Sequence, residues 1–557
     1  MKVVIVGGVA AGPKTASKIN RLCPDAEVTI IEKGEFLSYA GCGLPYYISG
    51  VVKEQKELMA TPVGTVRDSV FFQKVKNVKV LNQTEATAIN RQNKTVTIRK
   101  SDGSEKQLEY DKLVLATGAN AVKPPIPGLE MKNIFSLKGV EDAEAIKAKL
   151  SEHSAPNVVI VGGGLIEVEV AEAFVETGCR VTMVEFLPNI LPILDPEMAI
   201  LVEKYFNSKG VKIMTGTKVT GFGGDNNTVN KVITNNGDIA VDMVVMAIGA
   251  SPSTKLAVDC GLEIGPTRAI KVNAQMQTND PDIFAVGDCA EKMNIITNEP
   301  CYIPLGSTAN KEGRVAANAI CGIDDQFPGV LGSTVCKIFD FSVARTGLGT
   351  QQAIDAGYDV VTCLAPAPDK AHFMPNAKPL MLKLIADRKT GKLLGAQGIG
   401  MGVADKRIDV AATAISAGMT VNQLANLDLS YAPPYAPAVD NILTAANIIR
   451  NKIAGFMEGI TTKEVKAMFD AGEDFTFLDV RSPGEIEQMR IEGSLSIPLG
   501  ALRTSLDKVD KTKPVVAFCK ISLRGYEAAL ILKQNGYKNV KVMDGGILMW
   551  PYNKIMG

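Results

Sequence analysis

Lys2-Val3-Val4-Ile5-Val6-Gly7-Gly8-Val9-Ala10-Ala11-Gly12 decides the fold. Its β-branched run is predicted to be a strand over residues 2–6, buried in a parallel sheet. The glycines then turn the chain into a helix expected to reach about Cys23. A second strand is expected over Val28–Ile31, ending at Glu32. This is a strand–helix–strand unit with an acid about 20 residues beyond the glycines, where a carboxylate can meet a ribose. N–H groups at the helix start would hold a pyrophosphate. Val9 stands at the middle glycine position of GxGxxG, so the surrounding strand, turn, helix and acid carry the assignment. Gly7, Gly12 and Glu32 are the candidate contacts.

The unit recurs. A strand over Val158–Val161 leads into Gly162-Gly163-Gly164, a helix through Thr177, and a strand over Arg180–Val184 ending at Glu185. Two dinucleotide units in one chain suggest a flavin and a nicotinamide. Gly162, Gly164 and Glu185 are the candidate contacts of the second. A carboxylate at 185 hydrogen-bonds a ribose 2′-OH and repels a 2′-phosphate, which favours NADH over NADPH. Glu167 replaces the third glycine, the one that lets helix and strand pack closely, and so bears on the affinity of this site. A vestigial second unit is the competing reading.

The 557 residues suggest about three or four domains. Lys+Arg and Asp+Glu balance at 60 each, so no overall field draws in a polyanion. Nucleic acid and membrane surfaces are set aside as main partners. No apolar run approaches the roughly 18 residues of a spanning helix. The glycines of residues 1–11 fit a strand and turn better than a signal peptide. None of the ten cysteines forms CxxC, which signals neither a disulfide framework nor zinc and fits a reducing cytoplasm. With His153 and His372 the only histidines, neither a Ser/His/Asp apparatus nor a His-rich metal centre is expected, and no metal is assigned.

One cysteine stands in a distinctive setting: Ser38-Tyr39-Ala40-Gly41-Cys42-Gly43-Leu44-Pro45-Tyr46-Tyr47. Cys-Gly-x-Pro reads as a turn, and turns lie at the surface. A buried structural cysteine is the alternative. Downstream, Leu113–Gly118 is a strand ending in Thr117-Gly118, and Thr278–Asp288 puts an acid just after a strand. Strands follow at Thr334–Phe339, Asp359–Leu364, Pro379–Ala386 and Leu393–Gly398, then helices over Asp405–Ala417 and from Val421. Residues 446–459 read as a connector to a small α/β unit.

Over about residues 1–450 these motifs, in this order, resemble the two-dinucleotide flavoprotein disulfide reductases. The resemblance implies FAD, adds Thr117 and Gly118 to the cofactor contacts and assigns Asp288 to the ribityl chain. It also implies a C-terminal domain that forms a homodimer and covers the partner's flavin site. Beyond it, Phe475–Arg481, Val515–Cys519 and Asp544–Trp550 resemble a rhodanese domain, with Cys519-Lys-Ile-Ser-Leu-Arg524 as its strand-to-helix loop. Backbone N–H groups there, with Lys520 and Arg524, would stabilise a thiolate and a persulfide at Cys519. The expected fold is α/β: two Rossmann-like domains (FAD-binding, 1–118 and 248–325; NAD-binding, 119–247), an α+β dimerisation domain (326–450) and an α/β rhodanese domain (458–557).

Reductases of the glutathione type carry Cys-x4-Cys beside the flavin, whereas position 47 here is Tyr47. A lone thiol can still form a mixed disulfide, a persulfide or a sulfenic acid. Ser-x-x-x-Cys-Gly-Leu-Pro-Tyr-Tyr, followed by Tyr431-Ala-Pro-Pro-Tyr435, resembles coenzyme A-disulfide reductases; with the rhodanese unit the whole chain resembles their fusions with NADH-dependent persulfide reductase activity. Lys14, Lys18 and Arg21, at i, i+4 and i+7, share a helix face that suits the phosphates of CoA. With Ser38 they match the CoA contacts that the resemblance implies. It also implies that Tyr431 reaches the partner's cysteine, with Tyr435 a second proton donor. The chain departs from the pattern at Gly41 (Asn in the family), at Phe373-Met374 (two tyrosines) and at Val439 (Lys).

The expected activity is NADH-driven, FAD-dependent reduction of CoA persulfide, polysulfide or CoA disulfide, with Cys42 as the redox thiol, Cys519 and Arg524 handling sulfane sulfur, and sulfide released. Two alternatives stand beside it. One is an NADH peroxidase or oxidase using a Cys42 sulfenic acid, although Ala10 replaces the histidine those enzymes keep in the first turn. The other is a non-enzymatic redox sensor.

Overall fold

In the computed structural model, which describes residues 1–152 and 154–557, Lys2–Val6 pairs in parallel with Glu27–Ile31 on one side and Lys112–Leu115 on the other. Val78–Leu81 and Ile283–Ala285 complete a five-stranded sheet. His153 lies outside the described residues. Val3, Ile5, Ile30, Leu113 and Val114 are fully buried, as a parallel sheet with both faces covered requires. Asn157–Val161 repeats the arrangement between Arg180–Val184 and Met243–Met246, with Lys212–Met214 and Ile134–Phe135 at the edges. Each sheet is accompanied by a three-stranded antiparallel insertion, at 84–109 and 219–240.

The chain divides into two compact units: residues 1–190 with 210–330, and residues 191–209 with 331–557. The second unit begins on an antiparallel sheet ordered Thr334–Ile338, Phe341–Gly347, Leu393–Gly400, Pro379–Asp387, Val360–Pro368. Helices Asp405–Ser416 and Asn441–Ile453 pack on it. A second, parallel sheet follows, with Val515–Phe518 between Thr476–Asp479 and Val540–Met543. Trp550, the single tryptophan, is buried beside Phe469, Phe477 and Tyr552.

Two expectations from the sequence need correction. The strand Phe341–Gly347 was not foreseen. It follows Thr334–Ile338 through a two-residue turn, Phe339-Asp340, with Phe339 left-handed at φ 51°. Such turns are usually flagged by Gly or Asn, and this one carries neither. The supposed connector at 446–459 is in its first half the end of the helix Asn441–Ile453. Asp440 caps that helix by accepting from the Ile442 N–H at 3.2 Å.

Candidate active site

Gly7 sits at φ 117°, and a Cβ there would run into the Ala116 carbonyl, so the first turn tolerates only glycine. The helix Ala11–Leu22 follows. Glu32 binds this turn directly: its carboxylate accepts from the Gly8 N–H at 2.7 Å and the Gly34 N–H at 2.8 Å. The Ser38 N–H donates to the Gly8 carbonyl, with Ser38 itself left-handed at φ 49°. Thr117 donates to the Ser253 carbonyl at 2.7 Å, and Gly118 (φ 67°) accepts from the Ser253 N–H.

Gly41–Gly43 forms a single 3₁₀ turn that leaves Cys42 exposed, and Leu44–Ser49 continues as a helix with Leu44, Pro45, Tyr47 and Ile48 buried. The surface reading of Cys42 holds; the turn reading extends only to residue 43. Tyr47, at the position a resolving cysteine would take, donates to Glu144 at 2.6 Å, and Lys147 lies 3.7 Å from its ring centre. Its side chain ties the Cys42 helix to the helix Val140–Leu150. The Cys42 helix also packs on Leu165–Glu176, the first helix of the second dinucleotide unit.

That packing presents Glu169 to Cys42. Crowding by neighbouring atoms pushes the Cys42 thiol up, and the charges of Glu169 and Asp288 add to it. Burial holds the Glu169 carboxyl up at about 7, with Glu172 adding repulsion. Cys42, Glu169 and Asp288 therefore act on one another electrostatically, in surroundings that favour a protonated sulfur. Glu169 has no sequence motif that links it to Cys42; only the packing of two helices far apart in sequence brings it to the thiol.

A flavin dinucleotide is the group this arrangement implies, and the residues fit it. The Asp288 carboxylate, pushed up by burial and drawn back by Lys292 and Lys138, carries no hydrogen bond among the described residues. The Tyr302 hydroxyl is buried without a partner and lies in the field of Asp288, which helps to push it up. Together with the glycine turn, these are unspent groups suited to a polyol and a ring edge. Tyr302 carries no motif, so nothing in its neighbouring residues marks it.

The second turn is built on the same plan, with Gly162 at φ 116°. Glu185 accepts from the Leu187 N–H at 2.7 Å. Glu167 is buried, with its carboxylate folded back over Gly162 and Gly164. Lys14 and Lys18 are half-buried and Arg21 is exposed, and none of the three forms an ion pair among the described residues.

In the second unit, Cys519 follows the strand Val515–Phe518 and is fully buried. Arg524 lies within hydrogen-bonding reach of its sulfur and forks onto Glu485 with two bonds of 2.7 Å. This pairing draws the Glu485 carboxyl down to about 2. Arg481, doubly bonded to Asp479, holds the Glu485 and Met489 carbonyls. Ser522 is left-handed at φ 86°; its hydroxyl donates to the Met543 carbonyl and accepts from the Gly545 N–H at 2.6 Å. The Lys520 side chain is exposed. The loop thus offers Arg524 and the start of the helix Leu523–Gln534 to the sulfur.

Tyr431 and Tyr435 are 51% and 73% exposed, and so is Phe373 at 65%, on a stretch joined to theirs by the bond from the Ala371 N–H to the Pro433 carbonyl.

Two dinucleotide folds, a lone exposed cysteine in the field of Glu169 and Asp288 and a loop that brings Arg524 to Cys519 define an oxidoreductase that handles sulfur with flavin and nicotinamide cofactors. The chain belongs to the pyridine nucleotide-disulphide oxidoreductases: residues 1–313 match that family and residues 333–442 its dimerisation domain. Residues 461–551 match the rhodanese-like domain. The structure is similar to that of a NAD-dependent persulfide reductase from A. fulgidus, with a TM-score of 0.94 and 44% identity over 99% of this chain and 100% of that one. The sequence is 37% identical over 449 residues to the NAD(P)H sulfur oxidoreductase (CoA-dependent) of Pyrococcus abyssi, covering 80% of this chain and 98% of that protein. It is 35% identical over 456 residues to a Methanocaldococcus jannaschii protein named NADH oxidase, covering 82% of this chain and 100% of that protein.

Proposed function

We propose that this protein reduces CoA-bound sulfane sulfur with NADH and releases sulfide. The observation that carries this reading is one exposed thiol, Cys42, facing a carboxyl that titrates near neutrality, in the same chain as a buried Cys519 under an arginine. Lys14, Lys18, Arg21 and Ser38 hold the CoA phosphates. Glu169 takes the Cys42 proton, and the sulfur attacks the CoA-bearing sulfur of CoA persulfide. The S–S bond breaks, sulfide leaves with a proton, and Cys42 remains joined to CoA by a disulfide. Two electrons and a proton then restore the Cys42 thiolate and free CoA thiol. A flavin, which Gly7, Gly12, Glu32, Thr117, Gly118 and Asp288 would hold, would supply the relay of those electrons from NADH.

Cys519 takes a sulfur atom from a polysulfide as a persulfide, and a CoA thiolate removes it as CoA persulfide. CoA disulfide enters the same cycle at Cys42 with CoA thiol as the leaving group. The exposed aromatic stretch Tyr431–Tyr435 fits a homodimer in which the partner subunit's Tyr431 protonates the leaving sulfur. Ten free cysteines suit a reducing, cytoplasmic setting. The division 1–118 with 248–325, 119–247, 326–450 and 458–557 remains our proposed domain plan.

The test is anaerobic NADH oxidation and sulfide release with CoA persulfide, polysulfide and CoA disulfide. Wild type turns over, Cys42→Ser does not, and Cys519→Ser loses turnover only with polysulfide. No Cys42-dependent turnover with any of the three would sink the proposal. The relative named NADH oxidase favours a second reading, in which peroxide or oxygen converts Cys42 to a sulfenic acid; peroxide turnover above sulfur turnover would select it. An unbleached flavin under NADH would select a sensor instead.

A further inference from the structure

The third position of a dinucleotide turn is ordinarily glycine because helix and strand approach closely there. Here it holds Glu167, only 6% exposed. Its side chain fits by folding back over the turn: one carboxylate oxygen would lie 2.8 Å from a Cβ placed on Gly164, and the other 3.2 Å from one on Gly162. In that pose the carboxylate lies against the turn's backbone, and the N–H groups of Gly164 and of Glu167 itself draw its pKa down against the effect of burial. These belong to the N-terminal turn of the helix Leu165–Glu176, the groups such a helix offers to a phosphate. An anion of the protein's own already sits in the cradle.

We propose that the Glu167 carboxylate competes internally for this cradle, so that a nicotinamide dinucleotide binds the Gly162–Gly164 turn together with one proton on Glu167. The inference rests on the reading of this turn as the nicotinamide site. Two negative groups cannot share a site with so little water, whereas a neutral carboxylic acid can donate to the diphosphate.

The surroundings keep the proton within reach. Burial holds the Glu167 carboxyl up at about 7, and the Glu185 charge adds to that. Among the described residues no opposing cation acts on it. Arg180, on the neighbouring strand, bonds Asn157 at the far end of the sheet, and Tyr47 on the packed helix spends its hydroxyl on Glu144. Asn157–Val161 carries no titratable group, and Glu169, on the same helix, is itself held up at about 7. Binding is therefore strongest below about pH 7 and weakens as pH rises and Glu167 ionises. The limit is about tenfold per pH unit for one coupled proton.

The experiment is calorimetric titration of the flavin-loaded full chain with NAD⁺, from pH 6 to pH 9, in two buffers of different ionisation enthalpy. Wild type is expected to weaken by about tenfold or more between pH 7 and pH 9 and to take up close to one proton per nucleotide at pH 8. Glu167→Gln and Glu167→Gly are expected to bind with a flat pH profile, tighter than wild type at pH 9, and with no such uptake. Glu169→Gln is expected to keep the wild-type slope. A wild-type profile as flat as that of Glu167→Gln overturns the inference while leaving the nicotinamide site in place. A slope lost in Glu169→Gln but kept in both Glu167 variants also overturns it. An absence of NAD⁺ binding in every variant removes the nicotinamide reading itself.

Discussion

In the proposed mechanism, Glu169 carries the acid–base chemistry of the first site on a carboxyl held near 7. As the proton acceptor for Cys42 it must be ionised before attack, so kcat/KM should rise with pH through about 7. Glu169→Gln should erase that limb and lower the rate by about 10²-fold or more, as a pH–rate profile would reveal. At the second site, Glu485 is drawn down to about 2 from an ordinary 4.5. A depressed carboxyl contributes stability that is complete above 4.5 and is lost as pH falls towards 2. Allowing for partial exposure of the pair, the Arg524 contact contributes about 1 kcal/mol. The gap in urea midpoint between wild type and Glu485→Gln should therefore be open at pH 6 and closed near pH 2. Ser522 offers a cleaner contrast. Ser522→Gly relieves a left-handed backbone but loses a buried hydroxyl bridge; Ser522→Ala keeps the strain and loses the bridge, which leaves the Met543 carbonyl and Gly545 N–H short of a partner. Thermal unfolding should rank Ala lowest, about 2 kcal/mol below wild type. Gly7, Glu32, Cys42 and Cys519 were legible in the sequence because their chemistry is written in neighbouring residues. Glu169 and Tyr302 were not, because each gains its meaning only from a side chain that folding brings to it.

At the scale of the element, the helix Asn441–Ile453 shows how a capping acid can serve two structures. Asp440 caps it and also binds Arg407 through contacts of 3.1 and 2.9 Å, with Arg407 1% exposed. Asp440→Ala strands a buried guanidinium as well as an N–H. The expected loss is about 3–5 kcal/mol, against about 1 kcal/mol for a cap alone. Asp440→Asn keeps the cap and should fall between, as denaturant melts would establish. The sequence reading takes residues 446–459 for a connector and misses this helix, although Ile442, Ala445, Ala446 and Ile449 mark a buried face at helical spacing. It misses the Phe341–Gly347 strand as well, because its hairpin turn relies on tertiary pairing in place of a turn-forming residue.

For the whole molecule, duplication accounts for much of what the sequence disclosed. The two parallel sheets share the order of four strands and an antiparallel insertion, so recognising the first unit located the second; the fifth strand comes after the others in the first sheet and before them in the second. The second unit is less modular than its two domain families suggest. Lys452, on the last helix of the dimerisation fold, meets Asp544 at 2.5 Å and the Thr362 carbonyl at 2.8 Å, with both charged side chains nearly buried. Asp544 belongs to the stretch that braces the Cys519 loop through Gly545. Asp544→Ala should thus lower the unfolding temperature of the rhodanese and of the antiparallel sheet together, and scanning calorimetry should show them melting as one transition. The aromatic cluster around Trp550 makes that experiment unusually direct. Because the chain holds a single indole, selectively excited emission reports the rhodanese core alone, while the absorbance of a bound flavin reports the dinucleotide unit. One cuvette thereby resolves at separate wavelengths which unit loosens first, and whether sulfur loading at Cys519 is felt at the flavin.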